Sequence, residues 1–400
     1  MSSQDEPLES IELKRGTVMI KSFTLAEYLQ DLEFLVNIDS GSYTPAGTKK
    51  IMEFFQEKFK QLGWNTKIHK TSDKVGPCLQ ISNCPDEEYD VLLLGHMDTV
   101  FPEGTVAKRP YAIDKKAKVT GVGVGDMKGC LLMTYFALKE LDQSKKLAGK
   151  RICFLLNSDE EIGSLYSRTL IETLAKKSSY ALVVEAARPT GDMVNSRSGI
   201  ASCDLTATGI AAHAGVNPQD GSSAINELAA WILKLHALSN YELGTSINVG
   251  IISGGSARNV VAEQAQAQVD IRFKQHSEFE RINTALHELE QQSFTTGGAK
   301  ITCNLVINRP LMNPSQQTLK LCRNISDLGK SLDIDFNWVA TGGGSDGNYC
   351  AALGIPTVDG LGPISGGGHS IHEWLDANSV KPRLTLLMKT IEFITNTPIK

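Results

Sequence analysis

The chain has 400 residues, 41% of them hydrophobic and 21% charged, with a formal charge of −5. Such a length exceeds what one hydrophobic core usually serves, so two domains are expected. The ordinary composition excludes a disordered or collagen-like chain, and the scatter of Lys and Arg gives no footing for a nucleic-acid surface or a polybasic membrane patch. The opening MSSQDEPLESIELKRG is polar and acidic, without the apolar run of a signal peptide. Nowhere do about 18 uncharged apolar residues run together. Eight cysteines, Cys78, Cys84, Cys130, Cys153, Cys203, Cys303, Cys322 and Cys350, are spread along the chain with no CxxC pair. They read as free thiols in a reducing compartment, which makes the cytoplasm the expected location.

In chain order, DVLLLGHM (90–97), KRICFLLNS (150–158) and YALVVEA (180–186) are short, nearly continuous apolar runs. They suit strands buried on both faces of a sheet. DMKGCLLMTYFALKEL (126–141) is apolar on most sides and is expected as a buried crossover helix, with Asp126 in a good N-cap position. From Ser198 the style changes. Strand, helix, strand, strand, helix and strand follow in IASCDLTATG, GSSAINELAAWILKLHAL, SINVGII, EQAQAQVDIRF, HSEFERINTALHELEQQ and AKITCNLVI. The order βαββαβ is the ferredoxin-like split unit, self-contained and inserted within the larger domain. The chain then returns through a helix near 315–330, a Gly-rich loop and a C-terminal helix near 378–396. The expected division is 1–197 with 310–400 for the larger domain and 198–309 for the insert.

The chemistry-bearing residues sit where the apolar strands end. His96 closes one strand, and Asp98, two residues on, falls on the same side and could orient a metal-bound imidazole. Asp126 stands among glycines in GVGVGDMKG (121–129), where on its own it reads first as a helix N-cap and only second as a cation ligand. NSDEEIGS (157–164) crowds three acids at a strand end, where they repel one another unless a cation neutralises them. If one of Glu160 and Glu161 binds metal, its neighbour can take a proton from bound water. Glu185 ends the third run, and the glycines of GPISGGGHSIHEWLD (362–376) present His369, with His372 as a rival ligand. Mixed oxygen and nitrogen donors of this kind suit zinc.

GHMDTVFPEGT, GVGVGDMKGC, NSDEEIGS, AAHAGVNPQDGSSAINELA, GGSARNVVAEQAQAQVDIRF, TGGGSDGN and GGGHSIHEWLD together resemble the M20 metallopeptidase family, most nearly its glutamate carboxypeptidase branch. The segments run in family order from about 90 to 376, so the resemblance covers most of the chain. It implies an α/β catalytic domain of the zinc-exopeptidase type, with a mixed, largely parallel sheet flanked by helices. It also implies an inserted ferredoxin-like α+β lid and dimerisation domain. Two Zn2+ per subunit are implied, bridged by Asp126, with His96 and Glu185 on one and Glu161 and His369 on the other. Glu160 becomes the general base, Asp98 its catalytic neighbour, and the Asp126–Met127 peptide is expected to be cis. His213, Asn259, Arg272 and Arg309 are implied in substrate binding, Arg272 as the clamp on a carboxylate and Arg309 as a candidate for a second, side-chain carboxylate. His213 is expected to reach a neighbouring subunit's site, which makes a homodimer meaningful. His69, His236, His276 and His287 are left as structural or surface residues.

The expected reaction is hydrolysis of the amide bond of a C-terminal amino acid, glutamate among the candidates, in a small peptide or N-acyl conjugate. An N-acyl amino-acid deacylase or desuccinylase is the alternative within the family. A non-catalytic, metal-stabilised binding protein is the alternative of another class. No nucleic acid and no membrane are expected as partners.

Overall fold

The computed structural model describes residues 20–85 and 88–397. The acidic opening segment, whose lack of a signal-peptide run was noted above, lies outside them. A six-stranded sheet forms the centre of the larger unit. Its order is Asn65–His69, Cys78–Ser82, Ile152–Asn157, Tyr89–His96, Ser178–Val183 and Thr357–Val358. The last four strands are parallel; the first two run antiparallel to their neighbours. The sheet is therefore mixed and largely parallel, as expected.

Strand side chains alternate between two apolar layers, as a period of two requires. Val91, Leu93, Phe154, Leu156 and Leu182 join Phe55, Phe59, Leu131, Phe136 and Leu387, from helices Pro45–Gln61, Gly129–Gln143 and Val380–Asn396. Leu92, Leu94, Leu155, Ala181 and Val183 face the other way, onto Ile171 and Leu174 of helix Arg168–Lys176 and Tyr349 of helix Gly347–Ala352. Burial on both faces is why these strands read as unbroken apolar runs.

Between two of the parallel strands, helix Gly129–Gln143 is buried along nearly its whole length. It starts later than its apolar pattern suggested, and Asp126 is not its N-cap: Lys128 holds that position, and Asp126, at φ −120°, ψ 85°, lies in the turn before it. Asp126 is held instead by contacts across the fold, its side chain drawn to two imidazoles and its N–H to Glu373. The Asp126–Met127 peptide is cis, as the resemblance implied.

Residues 199–309 form a second, antiparallel sheet ordered Ser246–Gly254, Gln264–Phe273, Gly199–Thr208, Lys300–Arg309, with helices Ala224–Ala237 and His276–Glu290. This is the ferredoxin-like order. It has its own core, including Leu205, Trp231, Ile271 and Ile282. Ser223 caps the first helix, its Oγ accepting from Asn226 N at 3.2 Å. The chain passes between the two sheets twice, and the passages lie side by side. Arg197 and Met312 exchange backbone hydrogen bonds of 2.9 and 3.2 Å. Asn348 Nδ2 donates to both, to Ser198 O at 3.1 Å and Pro310 O at 2.7 Å. Among the described residues no helix is long and apolar enough to cross a membrane, and none of the eight cysteines forms a disulfide.

Candidate metal centre

Three neighbouring parallel strands deliver polar residues to one edge of the large sheet, the edge where ligands gather in open α/β sheets. His96 is the last residue of its strand; Glu160 and Glu161 follow Asn157 in a short turn; Glu185 lies two residues past Val183. Asp126 comes from the turn before the buried helix, and His369 from the glycine-rich loop. That loop is cramped. A Cβ on Gly367, at φ +69°, would sit 2.4 Å from His372 O, and His369 itself adopts a left-handed φ of +61° that few non-glycine residues take.

Asp126 lies between the two imidazoles. Its Oδ1 is 3.1 Å from His96 Nε2 and its Oδ2 is 3.2 Å from His369 Nε2. Glu185 Oε1 approaches His96 Nε2 at 3.3 Å, while Glu161 Oε2 approaches His369 Nε2 at 3.0 Å. The arrangement is a pair of half-sets sharing one carboxylate. Donor atoms of His96, Asp126 and Glu161 all fall within 4.8 Å of one another. His372, the rival ligand, is exposed, and its ring makes no hydrogen bond or ion pair among the described residues.

The donor set fits a divalent cation. Glu161 Oε1 is buried and has no hydrogen-bond partner, a costly state for a carboxylate oxygen unless something positive faces it. Burial, followed by the charge of Asp126, pushes the Glu161 carboxyl up to about 7. Burial likewise raises Glu185. Burial opposes a charge on His96, but Glu185, Asp126 and Asp98 outweigh it and raise its pKa well above the usual range. Hydrogen bonds to Asp126 and Glu161 raise His369 to about 11. Protons thus do what a cation would do: they offset carboxylates packed too closely to stay charged together.

The surroundings hold these groups in place. His96 Nδ1 lies 3.0 Å from the backbone carbonyl of Asp98 and 3.4 Å from its carboxylate, which leaves Nε2 for the cluster. The carbonyl, rather than the carboxylate expected from spacing, makes the tighter contact. The Asp98 carboxylate instead accepts from Glu160 N at 3.2 Å, Glu161 N at 3.1 Å and Ser42 Oγ at 2.7 Å. Glu373 was not singled out by sequence. It is fully buried and accepts from Gly123 N, Gly125 N and Asp126 N at 3.0, 2.9 and 3.0 Å. Four residues after His369, it ties the loop of one imidazole to the turn of the shared carboxylate. The only hint in the sequence was an acid embedded in the HEWLD segment.

The four residues expected to bind substrate are not together. Arg309 is buried and committed: Nη2 donates to Glu160 Oε1 at 2.7 Å and to Glu160 O at 2.8 Å, and Nη1 to Asp346 Oδ1 at 3.0 Å. Burial raises the Glu160 carboxyl well above its ordinary range, with Arg309 pulling the other way. Arg272 donates to Asp270 Oδ2 at 2.9 Å and, across to the larger unit, to Gly342 O at 2.8 Å. His213 and Asn259 are exposed on adjacent loops, joined where Ala214 N donates to Asn259 O at 3.0 Å. Neither side chain contacts the cluster.

A mixed α/β sheet thus ends in a shared-carboxylate cluster of His, Asp and Glu, a donor set of the kind that holds divalent cations. The sequence model of Peptidase family M20/M25/M40 matches residues 92–392, and the chain belongs to that family of hydrolases. Carboxypeptidase G2 of Pseudomonas sp. (strain RS-16) is 28% identical over 387 residues, covering 94% of this chain and 92% of that protein. An acetylornithine deacetylase of Vibrio cholerae is 27% identical over 284 residues, covering 66% of this chain and 72% of that one. The solved structure of a tripeptidase from Staphylococcus aureus superposes with a TM-score of 0.76 at 22% identity, over 94% of this chain and all of that one, and shares its fold.

Proposed function

We propose that this hydrolase is a dinuclear zinc exopeptidase that releases a C-terminal amino acid from a small peptide or N-acyl conjugate. The observation that carries the reading is Asp126, with one oxygen directed at each of two imidazoles and a glutamate flanking each. His96 and Glu185 would hold one ion, Glu161 and His369 the other, and Asp126 both. Bound zinc would polarise the scissile carbonyl and lower the pKa of water toward neutrality.

Glu160 acts as the general base. Arg309 occupies its Oε1, so Oε2 takes the proton of the attacking water and returns it to the departing amine nitrogen. A carboxyl raised by burial is suited to both halves of that transfer. Asp98 keeps His96 in the tautomer that presents Nε2 and fixes the backbone of Glu160 and Glu161. Residues 198–309 are read as an inserted lid and dimerisation domain and the remainder as the catalytic domain. Their separate cores and paired passages support this division. Arg272 is assigned to the substrate's terminal carboxylate, which would displace its present contact with Gly342 O. His213 and Asn259, exposed and away from this chain's cluster, suit a site completed by a second copy in a homodimer. The location assigned is the cytoplasm.

Treatment with a chelator should abolish amide hydrolysis, and zinc should restore it beyond other divalent ions. Activity that survives complete metal removal would end the reading. The match to an acetylornithine deacetylase favours a second reading, removal of an acyl group from an N-acyl amino acid. A panel of dipeptides, glutamate conjugates and N-acyl amino acids decides between them by the ratio of kcat/KM.

A further inference from the structure

The arginines around the metal centre and the passages beside it are mostly engaged: Arg109 donates to Ser370 O and Glu373 O, and Arg383 to Gly360 O, Gly362 O and Gly191 O. Arg309 is bound to Glu160 and Asp346. Arg197 donates to Asp359 Oδ2 at 2.7 Å and to Gly343 O and Gly344 O at 3.0 and 3.2 Å. Arg272 holds Asp270 and Gly342 O. Arg188, by contrast, is half-buried, and its guanidinium makes no hydrogen bond or ion pair among the described residues.

Its backbone is nevertheless fixed. Gly362 N donates to Glu185 O at 2.7 Å, Ala187 N to Pro363 O at 3.0 Å and Ser365 N to Ala187 O at 3.2 Å. The segment from Glu185 to Arg188 therefore runs alongside the stretch that leads into the His369 loop. A tight turn follows, with Arg188 N donating to Asp192 O at 3.0 Å and Gly191 N to Arg188 O at 2.7 Å. Pro189 further restricts the Arg188 backbone to extended conformations. The side chain is close enough to Glu185, Asp126 and Asp359 to feel their charges, with Arg197 opposing them. A guanidinium so placed has lost part of its hydration without gaining a partner, and a planar carboxylate would satisfy its fork with two parallel hydrogen bonds.

We propose that Arg188 anchors a second carboxylate of the substrate, on the Glu185 side of the cluster, and so selects amides that carry a carboxylate beyond the terminal one. This is the task that the sequence suggested for Arg309, whose donors the structure finds already engaged. The inference rests on the hydrolase reading above. Its chemistry is a carboxylate that could belong to the departing amino acid's side chain or to the acyl group.

The test compares paired substrates on the zinc-loaded enzyme: an N-acyl-glutamate against the matching N-acyl-glutamine, and an N-succinyl amino acid against its succinamoyl analogue. The wild-type protein should prefer the charged member of at least one pair. Arg188→Ala should bring that kcat/KM ratio down about 10–100-fold, the value of a charge-assisted hydrogen bond. Arg188→Lys should keep part of the ratio. Loss in the first pair assigns the anchor to the departing side chain, and loss in the second to the acyl group. A wild-type ratio near one in both pairs, or a ratio that Arg188→Ala leaves intact, overturns the proposal. Binding of glutamate against glutamine, and of succinate against succinamate, to zinc-loaded Glu160→Gln protein separates this from failure of the hydrolase reading. Discrimination that depends on Arg188, where the zinc-loaded wild-type protein turns over none of these amides, keeps the anchor and removes the reaction. Turnover without discrimination does the reverse.

Discussion

Around the metal centre, polar groups are braced from several directions: Asp98 holds His96, Glu160 and Glu161, Glu373 holds the Asp126 turn, and Arg309 holds Glu160. On the 198–309 unit, His213 and Asn259 stand exposed on loops with no side-chain hold on the cluster, and Arg272 is partly exposed at the boundary. The first region is preorganised and the second awaits something that brings it in. Chemistry tolerates little looseness in the groups that move protons or hold metal, whereas groups that greet the substrate can be ordered by it.

The sharpest way to break this comparison is Glu160→Gln. Turnover should fall by about 10²–10⁴-fold while zinc content stays that of the wild type, measured by steady-state kinetics beside metal analysis. A parallel loss of zinc would make Glu160 part of the metal's support. Next in size, Glu373→Gln replaces an oxygen acceptor facing three backbone N–H groups with an amide that also donates. Zinc affinity should drop about 10–100-fold in competition with a chelating dye, with the circular dichroism spectrum retained. Unchanged affinity would show that the two loops hold without it. On the looser side, Arg272→Ala should raise KM about tenfold and move kcat by less. A fall in kcat alone would place Arg272 among the preorganised groups.

The smallest effect concerns pH. Folded Glu161 keeps its proton to about 7 from an ordinary 4.5, so between those values the native state binds more protons than the unfolded chain. Stability of the metal-free protein therefore falls as pH rises through that window. Its Tm should be lower at pH 7 than at pH 5, and zinc should reverse the order, because it replaces the proton as the positive partner. Above 7 the comparison is mixed: the buried Lys128, brought down to about 7 by burial, acts in the opposite sense to His369.

The parallel strands were legible because burial on both faces leaves an uninterrupted apolar run. The alternating QAQAQVDIRF strand was legible because only one of its faces packs on a core. The five candidate ligands were found through strand ends and loop glycines, aided by a family resemblance that covers several segments at once. Asp126 read locally as a helix cap, since an acid before an apolar helix has that preference; contacts from residues 30 and more positions away hold it outside the helix. Glu373, Asn348 and Arg188 left little trace. Two of them act on distant backbone groups, and the third is defined by a partner it lacks, so neither periodicity nor motif spacing encodes them.

Asp98 serves two ligands from different stretches of chain at once: its carbonyl receives the His96 ring, and its carboxylate receives the turn that carries Glu160 and Glu161. Substitutions at these positions will not combine as independent losses. In a thermodynamic cycle, Asp98→Asn paired with a change at Glu161 should cost less than the sum of the two, because Glu161 then loses what Asp98 was already failing to supply. A neutral amide there gives the two backbone N–H groups a weaker acceptor, so a single change at Asp98 loosens the base and the Glu161 half of the metal set together, while the backbone carbonyl keeps its hold on His96.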